Sequence, residues 1–243
     1  MARGNSLTLL AKGEIPDRYR RNIGTIGIDG QKRLLEARVA VVGAGGLGGT
    51  VIELLARQGV GFLRIIDGDS FELHNLNRQL LAIERTMGMN KAVSAAARVA
   101  EINFEVETHA VPAMFHEDNA TELLSDMNVI VDALDSINCR LLLCRKAQQL
   151  KIPLVHAAIA GLTGQVGTIL PTGPGLEKIY ATTGGSDKGI ETVLGNPAAT
   201  SALAAAVQAQ EVIKLLTGIG ELISNKLLYF DTELNIYELL SLK

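Results

Sequence analysis

Gly43, Gly45 and Gly48 stand in VVGAGGLGG, residues 41–49, with the spacing GxGxxG between a β-branched run and an apolar pattern of helical period. In that context the first glycine permits a tight turn, the second lets a phosphate approach the backbone, and the third lets helix and strand pack closely. The unpaired N–H groups and positive dipole end of the helix then favour an anion. Asp67 ends the next apolar run, where a carboxylate can accept the hydrogen bonds of a ribose. The adjoining stretch, DGDSFELHNLNRQ, residues 67–79, is polar and carries Arg78. A hydride-transfer site needs an apolar slot for nicotinamide and has no evident use for a guanidinium on phosphates. Lys91, opening a predicted helix in MGMNKAV, adds a second cation, and Arg21 in RYRRN is placed to supply a third. Asp135 comes just after the apolar run MNVIVD and offers a carboxylate at the edge of the same predicted sheet. Cations with one carboxylate suit a triphosphate and magnesium, an ion that prefers one or two carboxylates, several waters and phosphate oxygens. The residues thus point to an adenosine ribose and phosphates without specifying which adenosine compound.

The elements that must hold these residues are read from periodicity. RVAVV at 38–42 and FLRIID at 62–67 predict strands, with a helix over 47–58 between them. The alternation continues with a helix at 89–102, a strand near 105–111, a helix near 117–124, a strand at 127–132, a helix at 136–149 and a strand at 153–158. Such a rhythm predicts βαβ units, a parallel sheet and helices on both faces. After residue 160 it changes: GLTGQVGTILP predicts one or two strands with no helix between, a long Ala-rich helix stops at Gly218, and KLLYFDTELNIYELLSLK predicts a hairpin or two edge strands. The fold class is therefore α/β, a Rossmann-like doubly wound mixed sheet, parallel in its N-terminal half and antiparallel at its C-terminal end. Residues 172–195, rich in Gly, Thr and charge and without a period, predict a functional lid or a disordered segment.

The 243 residues, 47% hydrophobic and 20% charged, are enough for one large domain with a sizeable core. We divide that domain into an N-terminal helical segment (1–37), a nucleotide-binding half (38–160) and a second half (161–243). A net charge of −3 gives no electrostatic footprint for nucleic acid. No apolar run approaches the roughly 18 residues that span a bilayer and no signal peptide is evident, so the protein is expected in the cytoplasm. Cys139 and Cys144 are the two cysteines; no Cys-x-x-Cys occurs, so no zinc site is expected and both are taken as packing residues. His74, His109, His116 and His156 are expected to be structural or at the surface. Tyr229–Phe230 and Leu239–Leu240 are expected in the core, and the small residues of SALAAAVQAQEVIKLL at close packing or a dimer seam.

RYRRN, GAGGLG, DGDSFELHNLNRQ, Lys91 and VDALDS together resemble the MoeB/ThiF/HesA group, the prokaryotic relatives of ubiquitin-activating enzymes, from about residue 18 to the C-terminus. The resemblance implies an adenylyltransferase that uses ATP and magnesium to activate the C-terminal glycine of a small ubiquitin-like carrier ending in Gly-Gly, often a sulfur carrier. It implies that Asp67 binds the ribose, that Asn75, Arg78 and Gln79 contact the nucleotide and its phosphates, and that Lys91 bridges phosphates. Asp135 would hold magnesium, and Arg21 would reach the triphosphate of the neighbouring subunit in a homodimer. By the same resemblance, residues 161–243 would bind the carrier, with a crossover loop near 172–195.

The sequence departs from the group in lacking both zinc-binding Cys-x-x-Cys pairs and any cysteine in LEKIYATTGGSDKG. Adenylation needs neither, whereas a thioester or persulfide on the enzyme would need a thiol there, and sulfur transfer is expected to use a separate donor. Three other readings compete. An enzyme resembling the threonylcarbamoyladenosine dehydratases of tRNA is disfavoured by the acidic balance, and an NAD oxidoreductase leaves Arg78, Lys91 and Asp135 unexplained. A non-catalytic partner subunit has no chemical need for the full set.

Overall fold

The computed structural model describes residues 5–180 and 187–242. The N-terminal segment holds α1 (Asn5–Ala11) and α2 (Arg20–Glu36). Next come five parallel strands: β1 (Arg38–Val42), β2 (Phe62–Ile66), β3 (Glu107–Val111), β4 (Val129–Asp132) and β5 (Leu154–Ala160). The helices between them are α3 (Gly46–Gln58), α4 (Lys91–Ile102), α5 (Glu117–Leu124) and α6 (Ile137–Gln149). β6 (Thr163–Ile169) pairs antiparallel with β5, so GLTGQVGTILP contributes a turn and one strand. The one-turn helices α7 (Glu177–Tyr180) and α8 (Glu191–Leu194) precede the long α9 (Ala198–Thr217), which ends at Gly218 as expected, and β7 (Lys226–Asp231) and β8 (Ile236–Ser241) complete the chain.

The strands form one sheet in the order β3-β2-β1-β4-β5-β6-β7-β8. The chain winds outward from β1 to β3, then returns to set β4 against the other side of β1. The crevice between the carboxyl ends of β1 and β4 is the topological switch point, where open α/β sheets bind ligands. Both faces are covered because alternate residues of the central strands are apolar in opposite directions. Val39 and Val41 belong to a core with Val51 and Leu55 of α3, Ala95 of α4 and Ala205, Ala209 and Val212 of α9. Ala40 and Val42 belong to a second core with Leu124 of α5 and Leu143, Cys144 and Ala147 of α6. The small residues of α9 are spent on close packing against α3, β5 and β6.

The stretch 172–195 contains the single turns α7 and α8 in its described parts, and residues 181–186 lie outside the described residues. One expectation changes. Leu239 and Leu240, expected in the core, are exposed, because β8 is the last strand of the sheet and every one of its residues is exposed. Phe230, by contrast, is fully buried beneath Gly164 of β6, whose missing side chain leaves room for the ring.

Candidate active site at the switch point

A cavity of about 640 Å³ opens at the switch point, and Gly43, Gly45, Asp67, Asn75, Arg78, Gln79, Lys91 and Asp135 all line it. The turn after β1 explains the glycine spacing. Gly43 has φ +96, and a Cβ there would lie 2.4 Å from the Ala133 carbonyl oxygen after β4. Gly48 does not line the cavity; a Cβ on it would lie 1.8 Å from the Gly43 carbonyl oxygen, so it seats α3 against the turn. The start of α3 has no side-chain cap, leaving its amides directed at the cavity for an anion.

Asp67 braces this turn: Oδ2 accepts from the Ala44 amide at 2.7 Å and Oδ1 from the Asp69 amide at 2.8 Å. Burial pushes its carboxyl up from the ordinary value, against the pull of those two amides and of Lys91. The Lys91 ammonium, mostly buried at the start of α4, lies 3.0 Å from Asp69 Oδ2. Asn90 caps the same helix by accepting from the Val93 amide, while its amide nitrogen donates to the carbonyls of Asp67 and Asp69. The α4 N-terminus is thereby tied to the end of β2, which is how the sequence brings Lys91 beside Asp67.

The NLNRQ stretch begins on a single 3-10 turn at Leu73–Asn75. Asn75 is buried and its Oδ1 accepts from the Glu72 amide, so it shapes the turn as well as lining the cavity. Arg78 rests on weak partners, the His74 carbonyl at 3.2 Å and Asn77 Oδ1 at 2.8 Å. Gln79 is buried, and its Oε1 has no hydrogen-bond partner among the described residues. A buried acceptor without a partner is costly and marks a group built for a ligand donor.

Asp135 stands at the mouth, exposed, and pairs with Lys188 from the segment leading into α8. Arg21, at the exposed start of α2, does not line this cavity. The structure thus gathers every site residue named from the sequence except Arg21 and, through its packing role, Gly48.

Sequence reasoning missed a buried group beneath the cavity. Asp132, at the end of β4, accepts from Arg140 of α6 at 3.3 Å and lies 2.7 Å from His156 Nδ1. Burial opposes ionisation of Asp132, but Arg140 and His156 outweigh it and hold the carboxyl below the usual range. His156, also fully buried, is drawn down by burial despite Asp132, which keeps the imidazole neutral. A neutral ring donating from Nδ1 leaves Nε2 to accept from the Tyr180 hydroxyl at 3.3 Å and Gln165 at 3.4 Å. Arg140 also donates to the carbonyls of Leu134 and Ala157, fixing the backbone on which Asp135 sits. A signal was present: Ile137, Arg140, Cys144 and Ala147 form the buried stripe of α6, and an arginine on such a stripe requires a partner. Cys144 is buried there with its thiol pushed up to about 11 by burial, which makes it inert, and Cys139 is only half-buried.

Beyond the nucleotide end, the cavity runs on to Gly164, Gln165, Tyr180 and Tyr229, groups of the antiparallel half. Fold and site together define a Rossmann-like α/β protein whose switch point carries an anion-ready turn, the cations Arg78 and Lys91, and the carboxylates Asp67 and Asp135. The chain belongs to the ThiF family, which it matches over residues 19–243. It is 40% identical to the SAMP-activating enzyme E1 of Haloferax volcanii, over 88% of this chain and 81% of that protein. It is 36% identical to the adenylyltransferase and sulfurtransferase MOCS3 of Culex quinquefasciatus, covering 98% of this chain but only 55% of the relative, about half its length. Among solved structures, MccB of E. coli with ATP superposes with a TM-score of 0.81 at 22% identity, over 93% of this chain and 72% of that one. PaaA does so with a TM-score of 0.80 at 24% identity, over 93% and 73%. These two likenesses bear on the fold.

Proposed function

We propose that this protein uses ATP to activate the C-terminal carboxylate of a small ubiquitin-like carrier as an acyl-adenylate, releasing pyrophosphate. The observation that carries this reading is the two-ended cavity. One end presents Arg78 and Lys91 around an anion-ready turn, and the other opens onto β6 and β7 with room for an extended peptide end. The names of the relatives support it, one an E1 that activates SAMP and the other an adenylyltransferase.

In the reaction a carboxylate oxygen of the carrier attacks the α-phosphorus, and the bond from that phosphorus to the bridging oxygen of the pyrophosphate breaks. The electron pair leaves with the pyrophosphate, and an ionised carboxylate needs no general base. Catalysis then rests on position and charge. Asp67 takes the ribose hydroxyls with the lone pairs its two amide contacts leave over. Arg78 and Lys91 exchange their present partners for phosphate oxygens, with neutralisation of the leaving group as the result. Gln79 Oε1 accepts from a nucleotide donor. Asp135 fits a magnesium ion, since its exposed carboxylate already collects a cation at the cavity mouth. Bound there with the triphosphate, the ion would neutralise phosphate charge. Arg21 completes the site from a neighbouring copy in a homodimer. The protein works in the cytoplasm and receives sulfur, where its pathway uses sulfur, from a separate donor.

Carrier-dependent ATP–pyrophosphate exchange tests the reading. Exchange that requires magnesium and an intact Gly-Gly end supports it. Absence of exchange with every Gly-Gly carrier, in a protein that binds ATP, would sink it.

A further inference from the structure

Asp135 is already occupied by a cation of the protein's own. Lys188 reaches it from the segment ahead of α8, and that segment is not draped loosely over the site. Asp187 fastens it to the start of α6: Oδ1 accepts from the Ser136 hydroxyl at 2.6 Å and the Asn138 amide at 3.0 Å, while its carbonyl accepts from the Ile137 amide at 2.9 Å. These contacts hold the Asp187 carboxyl below its ordinary range, with the Ser136 hydrogen bond the largest cause. Lys188 is thus delivered to Asp135 by an anchored neighbour. Beyond it, Gly189, Ile190 and Glu191 form part of the cavity wall.

We propose that Lys188 and the metal ion accompanying the nucleotide compete for Asp135, so that loading the metal nucleotide releases residues 188–191 from the cavity mouth. The inference rests on the reading of Asp135 as the metal-binding carboxylate. Its physical basis is exposure. The side chains of Lys188 and Asp135 are 48% and 81% exposed, and an ion pair in such surroundings is weak and readily exchanged. A divalent cation held jointly by Asp135 and phosphate oxygens has the stronger claim. Burial draws the Lys188 ammonium down, but Asp135, with Asp187 and Glu191 near it, outweighs that and keeps it charged, as a competitor for a carboxylate must be. Because Asp187 stays fastened to α6, release is confined to the residues after it. The residues that move share the lining of one cavity with Gln165 and Tyr180, at the end assigned to the peptide.

The test measures binding of an ATP analogue with a methylene bridge between its α- and β-phosphates to the full chain, by calorimetry across a range of magnesium concentrations. Lys188→Ala should need about two- to fivefold less magnesium for half-maximal loading, the factor expected from losing one exposed ion pair. Lys188→Arg should behave as wild type. Hydrogen–deuterium exchange over residues 188–191 should rise in wild type when magnesium and analogue are added together, and should be fast in Lys188→Ala with or without them. An unchanged magnesium requirement in Lys188→Ala, or unchanged exchange on loading, overturns the competition while leaving the nucleotide site intact. Failure of wild type to bind the analogue, or an Asp135→Asn variant with the wild-type magnesium requirement, overturns the underlying reading of the site as well.

Discussion

Arg78 is held by one carbonyl and one neighbouring amide, and neither contact supports the core. Arg78 is half-buried but makes no contact that the core depends on, so Arg78→Ala is expected to cost about 0.5–1 kcal/mol of stability. Its pyrophosphate exchange should fall roughly 10²- to 10³-fold, the usual cost of removing one preorganised electrostatic contact. Denaturant titration and the exchange assay check both halves. Arg140 reverses the pattern. Arg140→Ala removes the charged partner of the buried Asp132 carboxylate and leaves it to His156 and the Leu134 amide; losing one partner of a buried pair costs about 3–5 kcal/mol, and these two remaining donors place the expected loss at the low end, about 3 kcal/mol. The pH dependence is set by the depressed Asp132 value. Its stabilisation is present above the carboxylate pKa of the unfolded chain and is lost as pH falls through the lower folded value. Without Arg140 that folded value rises, so acid unfolding of the variant should begin at higher pH, measured as melting temperature against pH. At this scale the sequence disclosed which residue types gather but not their resting partners. Asp69 beside Lys91 and Lys188 beside Asp135 are pairings made by tertiary folding, which no spacing encodes.

The elements were legible wherever burial imposes a period. The strands of the parallel half and the helices between them lie within a few residues of their expected ends, because each central strand is apolar on both faces and each helix buries one stripe. Legibility failed where no core enforces a pattern. α7 and α8 are single turns too short to show helical spacing, and β8 carries leucines that read as core although they are exposed. The α3 junction offers a direct test of the glycine argument. Gly48→Ala would press a methyl into the Gly43 carbonyl, so α3 must retreat from β1. Overpacking of this kind costs about 1–3 kcal/mol. It should also weaken nucleotide binding, since the α3 amides move with the helix. Calorimetry with ATP beside a denaturation curve distinguishes this from a simple loss of stability. Cys144 is buried in the second core and neither cysteine lines the cavity, which predicts the contrary: a Cys139→Ala and Cys144→Ala double variant should lose some stability yet keep measurable exchange.

At the scale of the whole molecule, Arg21 is the one cation named from the sequence that does not reach the cavity of its own chain. If it serves a neighbour, Arg21→Ala and Asp135→Ala should each be inactive alone. Mixed in equal amounts after subunit exchange, they should recover about one quarter of wild-type exchange activity, because each mixed dimer of a two-fold assembly contains one complete site. No recovery from two folded, exchanging variants would place Arg21 outside the reaction.

The change of strand direction at β5 and β6 has an evolutionary consequence. On the proposed reading, Gly43, Asp67, Lys91 and Asp135 at the nucleotide end follow parallel strands, whereas the end assigned to the acyl substrate is lined from the antiparallel strands β6 and β7 and the short helices between them. The sheet joins the two by backbone hydrogen bonds, which are indifferent to side-chain identity. On that reading, substitutions on the far side of the seam change the end that selects the carboxylate and leave the backbone of the nucleotide end in place. The seam makes the fold a chassis with an exchangeable front end.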